Sequence, residues 1–257
     1  LYGGFRGGET SLNERSWYEN KTILSGDLES NDDENNPAST SDNAYHVVIV
    51  MTTEIPAIDG FIISNGNADD GTNGTGSITV NTANINRSYG GGIYLESTNA
   101  SLTNLIITAN SASNGGGLYM GNQSSAILTN LFVVRNAATN GGGLFINSSD
   151  PIFTNVTIAD NTAADGSEMM IINSSLPVIR NSIIWGSGEL VVSSENGSLP
   201  SYSYSLVNNN SDNSNGNLSG TVDPIFINED SYFLSLISPL IDKGNNAYYQ
   251  IGTPDLT

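Results

Sequence analysis

A repeat of 25 to 26 residues constrains the fold of this chain more than any other feature of its sequence. Glycine triplets begin at Gly90, Gly115 and Gly141, which are 25 and 26 residues apart. Two series of asparagines keep the same phase, one at Asn104, Asn130, Asn155 and Asn181 and the other at Asn110, Asn136 and Asn161. A fixed period with three markers in phase predicts a repeat architecture.

Each repeat contains short apolar segments, such as residues 105–107, separated by Gly, Asn, Ser and Thr. These segments are too short to form a helix of ordinary length, and they lack its period of 3.6 residues. One such unit cannot bury its own apolar face and must stack on its neighbours. The leucine-rich consensus is absent, and propeller blades need units of roughly 40 residues. The sequence therefore predicts an all-β fold, a single-stranded right-handed parallel β-helix of about eight rungs with a less regular C-terminal cap.

The irregular segments divide the chain into a rod and a cap. Residues 1–207 are predicted to form the β-helix, with loop insertions near residues 27–44 and 69–89. Residues 208–257 are predicted to be an Asn/Ser-rich loop and a C-terminal capping segment, because repeat arrays need a cap over their last unit. No helix follows the triple glycines, which are therefore predicted to be corners where backbones pass closely. The series from Asn104 to Asn181 is predicted to form an inner ladder that satisfies turn carbonyls.

The acidic composition limits the kinds of molecule that this chain is expected to bind. The 257 residues include 7 Lys and Arg against 26 Asp and Glu, which gives a net charge of −19. Nucleic acid and anionic membrane surfaces are therefore not expected as partners, because no basic patch could hold them. The chain has no cysteine, and no run of 18 apolar residues that would predict membrane insertion. It begins with Leu, so we expect it to be a processed or partial form of a longer protein.

Acidic residues are concentrated in the first loop insertion, at Asp27, Asp32, Asp33, Glu34 and Asp42. Hard cations such as Ca²⁺ prefer oxygen-rich loops, so calcium is the candidate cofactor. It would stiffen the loop without taking part in a reaction. The spacing is not that of an EF-hand, and a solvated acidic loop is the alternative interpretation.

Alternation along the second strand of each repeat predicts an apolar outward stripe. With Leu105 and Ile107 pointing inward, Ile106, Phe132 and Trp185 point outward. Soluble β-helices usually keep such columns polar, so another chain or segment is expected to cover this stripe.

A second outward stripe is aromatic. On the strand that follows each glycine triplet, alternation directs Tyr94, Tyr119 and Phe145 outward as a ladder of rings. Such a ladder is a candidate carbohydrate-binding surface, because flat rings can contact the apolar faces of sugars. The alternative is that the rings fill a corner of the core.

Candidate catalytic residues are few. Arg135 and Asp160 occupy equivalent places in consecutive repeats and are expected to be neighbours on one outer face. A lyase would use such an arginine as a base beside a cation, whereas the simpler interpretation is an ion pair on a wet surface. The one histidine, His46, has no glycine neighbours of the kind a pectin-type hydrolase would need. No residue is therefore assigned a catalytic role.

Motifs along nearly the whole chain resemble those of secreted bacterial right-handed β-helix proteins of the choice-of-anchor Q type. They include YGGFRGGETSLNERSW, IDGFIISNGNA, the three GGG repeats, NSIIWG, YSLV and DPIFINEDSYFLSLISPLIDKGN. The repeats also resemble, more loosely, those of chlamydial polymorphic outer-membrane proteins, which act as adhesins. The resemblance implies a β-helix exported to the cell surface or medium, often by the type IX route of Bacteroidota. It implies no particular reaction.

These observations favour a non-enzymatic extracellular or cell-surface module, a rigid rod that displays loops for adhesion or for building a surface structure. Its expected partners are other copies of the chain, neighbouring domains of a longer parent protein, or carbohydrate. The alternative is a calcium-dependent polysaccharide lyase or another glycan-active enzyme.

Overall fold

The computed structural model describes residues 1–33, 37–69, 76–80, 82–228 and 231–248. Almost all of its regular structure is strand. The strands, in chain order, are β1 (Ile23–Ser25), β2 (Val48–Val50), β3 (Ala57–Asp59), β4 (Ile62–Ser64), β5 (Asn67–Ala68), β6 (Ser77–Val80), β7 (Ala83–Asn86), β8 (Ile93–Glu96), β9 (Ser101–Thr108), β10 (Ser111–Asn114), β11 (Leu118–Gly121), β12 (Ile127–Val134), β13 (Ala137–Asn140), β14 (Leu144–Asn147), β15 (Ile152–Ala159), β16 (Met169–Ile172), β17 (Val178–Arg180), β18 (Ile183–Trp185), β19 (Val192–Ser194), β20 (Ser201–Ser203) and β21 (Leu206–Val207). Short 3-10 helices lie at Leu12–Glu14, Pro37–Asp42 and Asn246–Tyr248.

The strands stack into three parallel sheets that form the sides of one solenoid. Sheet 1 follows the order β1-β4-β9-β12-β15-β17-β20. Three further strands belong to it: β3 pairs with β9, and β18 pairs with β15 and β21. Sheet 2 follows β19-β16-β14-β11-β8-β2, and sheet 3 follows β13-β10-β5. Strands next to each other in a sheet are one turn apart in the chain, so the predicted parallel β-helix is confirmed.

The number of complete turns is smaller than predicted. About four turns have paired strands on all three sides, not about eight. The turns that contain β16 to β18 and β19 to β21 pair on sheets 1 and 2 only, and β1 forms a single level at the start of sheet 1. The repeat loses its third side where the glycine and asparagine markers fade, because those residues build the corners.

The repeat period fixes the register of the core. Leu105, Leu131 and Val156 lie directly above one another, and each is at most 1% exposed. The glycine corners are also confirmed: Gly115 has φ +69°, and a Cβ at Gly116 would lie 2.3 Å from the Ala137 carbonyl oxygen. Glycine is therefore required by close backbone approach and by a left-handed conformation.

Two segments outside the repeat lie against the sides of the solenoid. The first is the antiparallel hairpin β6–β7, within the predicted insertion at residues 69–89. The second, here called the C-terminal strap, comprises residues 223–228 and 231–248. Leu218 pairs with Leu206 above the last turn, whereas the strap lies along the outer face of sheet 1, where Phe233 contacts Phe132.

Candidate functional site

A groove of about 1400 Å³ lies on the outer face of sheet 1. Its floor comes from the sheet, including Asn104, Asn155 and Thr157. One wall comes from N-terminal residues 12–19, and the other from strap residues between 227 and 242. Three parts of the chain that are distant in sequence therefore build one concave surface.

A row of three hydrogen-bonded side-chain amides runs along sheet 1 at this groove, and we call Asn104, Asn130 and Asn155 the groove asparagine row. Asn104 and Asn155 line the groove, and Asn130 lies buried between them. Each has a left-handed backbone with φ between 52° and 56°, which bends the long strand of sheet 1. Asparagine tolerates this conformation better than most residues. The Nδ2 of Asn155 donates to Oδ1 of Asn130 at 3.2 Å, and the Nδ2 of Asn130 donates to Oδ1 of Asn104 at 3.3 Å.

The two ends of this row differ. At the lower end, Asn104 Nδ2 donates to Asp59 Oδ1 at 2.9 Å, and Arg15 forms a 2.5 Å ion pair with Asp59 Oδ2. At the upper end, Asn181 bonds the backbone of Asn245 in the strap instead of Asn155. The Oδ1 of Asn155 therefore accepts no hydrogen bond from the described part of the chain.

The prediction that this series forms an inner ladder on turn carbonyls is wrong in its location and its partners. The amides of the groove row bond one another and Asp59, and they lie on the outer side of sheet 1. Carbonyls are satisfied instead by the other series, the inner asparagine row of Asn110, Asn136 and Asn161. Asn136 Nδ2, for example, donates to the carbonyl oxygens of Ile107 and Val134 at 2.9 and 3.1 Å. The left-handed bend at each groove asparagine is what turns its side chain outward.

The strap covers the apolar stripe that the sequence predicted. Phe132 is buried, and its ring meets that of Phe233 edge to face at 5.4 Å between centroids. Ile106 packs into the same cluster, with Tyr232 and Val134. The segment that lies against Ile106 and Phe132 therefore belongs to the same chain. Trp185 lies on the same side one turn above Ala159 and is partly buried.

Arg135 and Asp160 both contact Tyr232 of the strap. The Tyr232 hydroxyl donates to Asp160 Oδ2 at 2.9 Å, and the Arg135 guanidinium lies 5.6 Å from the centroid of the same ring. Burial, with the hydrogen bond to Asp160, raises the pKa of Tyr232, so this hydroxyl stays protonated. Arg87 and Arg180 also stack on tyrosines, at 4.9 Å from the rings of Tyr45 and Tyr248. Each of these three arginines therefore contacts a tyrosine ring.

The comparison with known families decides the class of this fold. The family described as "Right handed beta helix region" matches residues 41–230. The chain belongs to the right-handed β-helix family. No curated protein and no solved structure matches it significantly.

In this right-handed β-helix protein, the aromatic ladder points outward as predicted but is not accessible. Tyr94, Tyr119 and Phe145 are each at most 7% exposed, and consecutive rings stack at 5.0 and 6.1 Å. Ile85 of the hairpin and partly buried Tyr89 complete the cluster. Burial raises the pKa of Tyr119 to about 12, consistent with a ring system that water does not reach. The rings therefore form a second small core beneath the hairpin.

The described part of the acidic loop contains buried side-chain oxygens that accept no hydrogen bond from other described residues. Asp32 Oδ2 accepts from Asn43 and Asn65 at 3.0 and 2.8 Å. Asp32 Oδ1, Asp42 Oδ2 and Asn43 Oδ1 have no hydrogen-bond partner among the residues that the structure describes. Asp27 accepts from the backbone of Asn31 at 3.2 Å.

The other predicted calcium ligands extend this picture only in part. Asp33 donates its backbone N–H to Ser39 at 2.9 Å, and Glu34 lies outside the described residues. Within the described ranges, no group of three or more acidic or imidazole side chains is arranged to hold a metal ion. Calcium binding therefore stays a prediction.

A buried carboxyl group that sequence reasoning missed closes the inner asparagine row. Glu168 is 0% exposed, and its carboxyl group accepts hydrogen bonds from the backbone N–H and the Nδ2 of Asn161. Asn161 Oδ1 accepts the same two hydrogen bonds from the backbone N–H and the Nδ2 of Asn136. Desolvation raises its pKa to about 8. A sequence signal existed, because Glu168 stands where earlier repeats have the third glycine of the triplet.

His46 is a structural residue. Its Nδ1 lies 3.0 Å from the carbonyl oxygen of Gly90, and its ring packs 5.3 Å from that of Tyr94. Burial lowers its pKa, which keeps the imidazole neutral near pH 7. In the part of the chain that the structure describes, no helix is long and apolar enough to cross a membrane.

Proposed function

We propose that this protein is a non-enzymatic extracellular or cell-surface module that holds an extended carbohydrate ligand in the groove on sheet 1. The groove carries the proposal. Its volume of about 1400 Å³ exceeds the roughly 300–1,000 Å³ of sites for single small molecules. Amides on its floor and rings on its walls are groups that recognise sugar hydroxyls and sugar faces. A rigid solenoid suits adhesion, because the groove is held in place by stacked turns.

The alternative function is a glycan-active enzyme, in particular a calcium-dependent lyase of acidic polysaccharides. The residue weighed as its base, Arg135, stacks on Tyr232 of the strap, which supports a structural role. In the non-enzymatic proposal, Arg135 therefore packs against the strap. No side chain is assigned a role in a reaction.

Incubation with polysaccharides separates the two functions. With soluble neutral and acidic polysaccharides and added calcium, we expect at least one of them to retard the protein in affinity electrophoresis. We expect no rise in ultraviolet absorbance from unsaturated ends and no shortening of the chains. Turnover that Arg135→Ala abolishes would instead establish the enzyme.

The proposal includes calcium as a stiffening ion in the acidic loop. Asp32 Oδ1 and Asp42 Oδ2, which have no hydrogen-bond partner in the described part of the chain, support it, since a cation would satisfy them. At equal concentration, Ca²⁺ is expected to raise Tm more than Mg²⁺, and Asp32→Asn should remove the difference. Equal shifts with both ions in the unaltered protein would exclude a specific site.

The proposal also includes contact with other copies or with neighbouring domains of a longer parent, through the ends of the solenoid. At one end of the solenoid, β1 is the outermost strand of sheet 1, and its residue Ile23 is 58% exposed. The free edge of such a strand can pair with a further strand. Light scattering should show a mass that rises with concentration, and Ile23→Lys should lower it. A strict monomer at high concentration would remove this part of the proposal.

A further inference from the structure

The groove has a definite polarity of hydrogen bonding. Each amide of the groove asparagine row donates downward, from Asn155 to Asn130 to Asn104 and finally to the Asp59 carboxylate. Hydrogen bonds in such a chain polarise one another, so an amide that donates becomes a better acceptor at its own oxygen. That oxygen at the open end is Asn155 Oδ1, on the groove floor. The row therefore presents an acceptor for a ligand hydroxyl.

The charge of the groove restricts the ligand. Among the described residues that line it, the acidic ones are Glu19, Asp59 and Asp242, and the basic one is Arg15. Arg15 is already paired with Asp59 at 2.5 Å and donates to the Gly3 carbonyl oxygen at 3.1 Å. A polyanion would thus meet uncompensated carboxylates in a chain of net charge −19, and like charges repel.

The wall supplies an aromatic face. Tyr18 is 52% exposed at the groove, and Phe233 supports it edge to face at 5.7 Å. A ring held in this way keeps its position while leaving area for a ligand, and such rings cost little conformational entropy on binding.

From these observations we infer that the groove selects neutral polysaccharides over polyuronates, with Asn155 Oδ1 accepting a sugar hydroxyl and the Tyr18 ring packing on a sugar face. This inference rests on the proposed carbohydrate-binding function and specifies its ligand class and contact residues.

The test is calorimetric titration with neutral β-glucan and β-mannan hexasaccharides, and with polygalacturonate and alginate oligomers of the same length. Asn155→Gly removes the amide but keeps a residue that tolerates φ 56°. Asn173→Gly is the matched control, because Asn173 has φ 58° and donates to Asn147 Oδ1 at 2.8 Å, outside the residues that line the groove. Tyr18→Ala is paired with Tyr18→Phe, which keeps the ring. Tm measurements establish that each variant is folded.

We expect at least one neutral hexasaccharide to bind about tenfold or more tightly than the uronate oligomers, a difference that like-charge repulsion at a groove can supply. Asn155→Gly and Tyr18→Ala should each raise Kd about tenfold, the scale of one hydrogen bond or one stacked ring. Asn173→Gly should leave Kd unchanged, and Tyr18→Phe, which keeps the ring, should raise Kd less than Tyr18→Ala does.

Each other outcome contradicts a different statement. Uronates that bind as tightly as neutral sugars overturn the neutral selection but leave the proposed function standing. Neutral sugars that bind equally well to Asn155→Gly and Tyr18→Ala overturn the groove contacts. If no oligosaccharide of either class binds, the proposed function itself fails.

Discussion

Glu168 is a single buried residue that makes the free energy of unfolding depend on pH. Its carboxyl group replaces an asparagine amide as the last acceptor of the inner row, and a Cβ at Gly186 would lie 2.3 Å from its Oε1. Gly186 therefore leaves the space that the carboxyl occupies. Because burial raises its pKa to about 8, the neutral acid is the form the folded protein prefers.

The sign of the resulting pH dependence follows from linkage. The folded protein holds this proton up to about pH 8, whereas the unfolded chain releases it near its ordinary pKa of 4.5. The stabilisation is therefore complete below pH 4.5 and is lost as the pH rises towards 8. Between pH 4.5 and 7 the free energy of unfolding should fall by up to about 3 kcal/mol from this group.

Glu168→Gln, a neutral side chain of the same shape, should remove this slope. Urea unfolding of both proteins at several pH values measures it. We expect the two curves to diverge as the pH rises from 4.5 to 8, with the variant the more stable at pH 8. Parallel curves would show that Glu168 does not titrate as its burial implies.

At the scale of single elements, the hairpin β6–β7 is a lid on the aromatic ladder. Ile85 on β7 is 0% exposed among the rings, whereas its cross-strand neighbour Ile78 on β6 is 42% exposed. Ile85→Ala should cost about 2–4 kcal/mol of unfolding free energy, and Ile78→Ala less than about 1 kcal/mol. Urea unfolding and binding of an apolar dye test this difference. Equal effects would mean that the hairpin does not cover the rings.

The C-terminal strap is the second such element. Phe233 joins it to Phe132 of sheet 1 and to Tyr18 of the N-terminal wall, while Leu236 on the same strap is 94% exposed. Phe233→Ala should cost about 1–3 kcal/mol, since the ring is partly buried, and should expose the strap to proteases. Leu236→Ala should do neither. An unchanged rate of proteolysis in Phe233→Ala would contradict the packing of Phe233 against Phe132 and Tyr18.

The solenoid could be predicted because its sequence repeats. The groove could not be predicted, because the segments that form its walls do not repeat. The regular spacing of Leu105, Leu131 and Val156, 26 and 25 residues apart, determines both their stacking and their inward direction, so fold class and core followed from the sequence. The strap and the hairpin have no period, and their contacts join distant positions, as Phe233 does with Tyr18. The sequence indicated that the stripe at Phe132 needed a cover. It could not indicate that the cover would leave a groove beside it.

At the scale of the whole molecule, self-repulsion should dominate the response to salt. The net charge is −19, and the ion pair found within the described residues is the one between Arg15 and Asp59. Added NaCl should therefore raise Tm, because screening weakens repulsion among carboxylates more than it weakens one partly buried pair. Thermal unfolding from low to physiological ionic strength measures this. A fall in Tm would indicate that attractive surface pairs stabilise the fold.

The most direct test of the groove as the binding site is hydrogen–deuterium exchange with and without a neutral hexasaccharide that binds. We predict slower exchange in peptides that contain Asn155 and Thr157, Tyr18, or Phe233, which together form the floor and both walls. Peptides that cover β13 of sheet 3 and the hairpin β6–β7 should not change. Protection confined to those latter peptides, or absent from the groove, would contradict the assignment of the site.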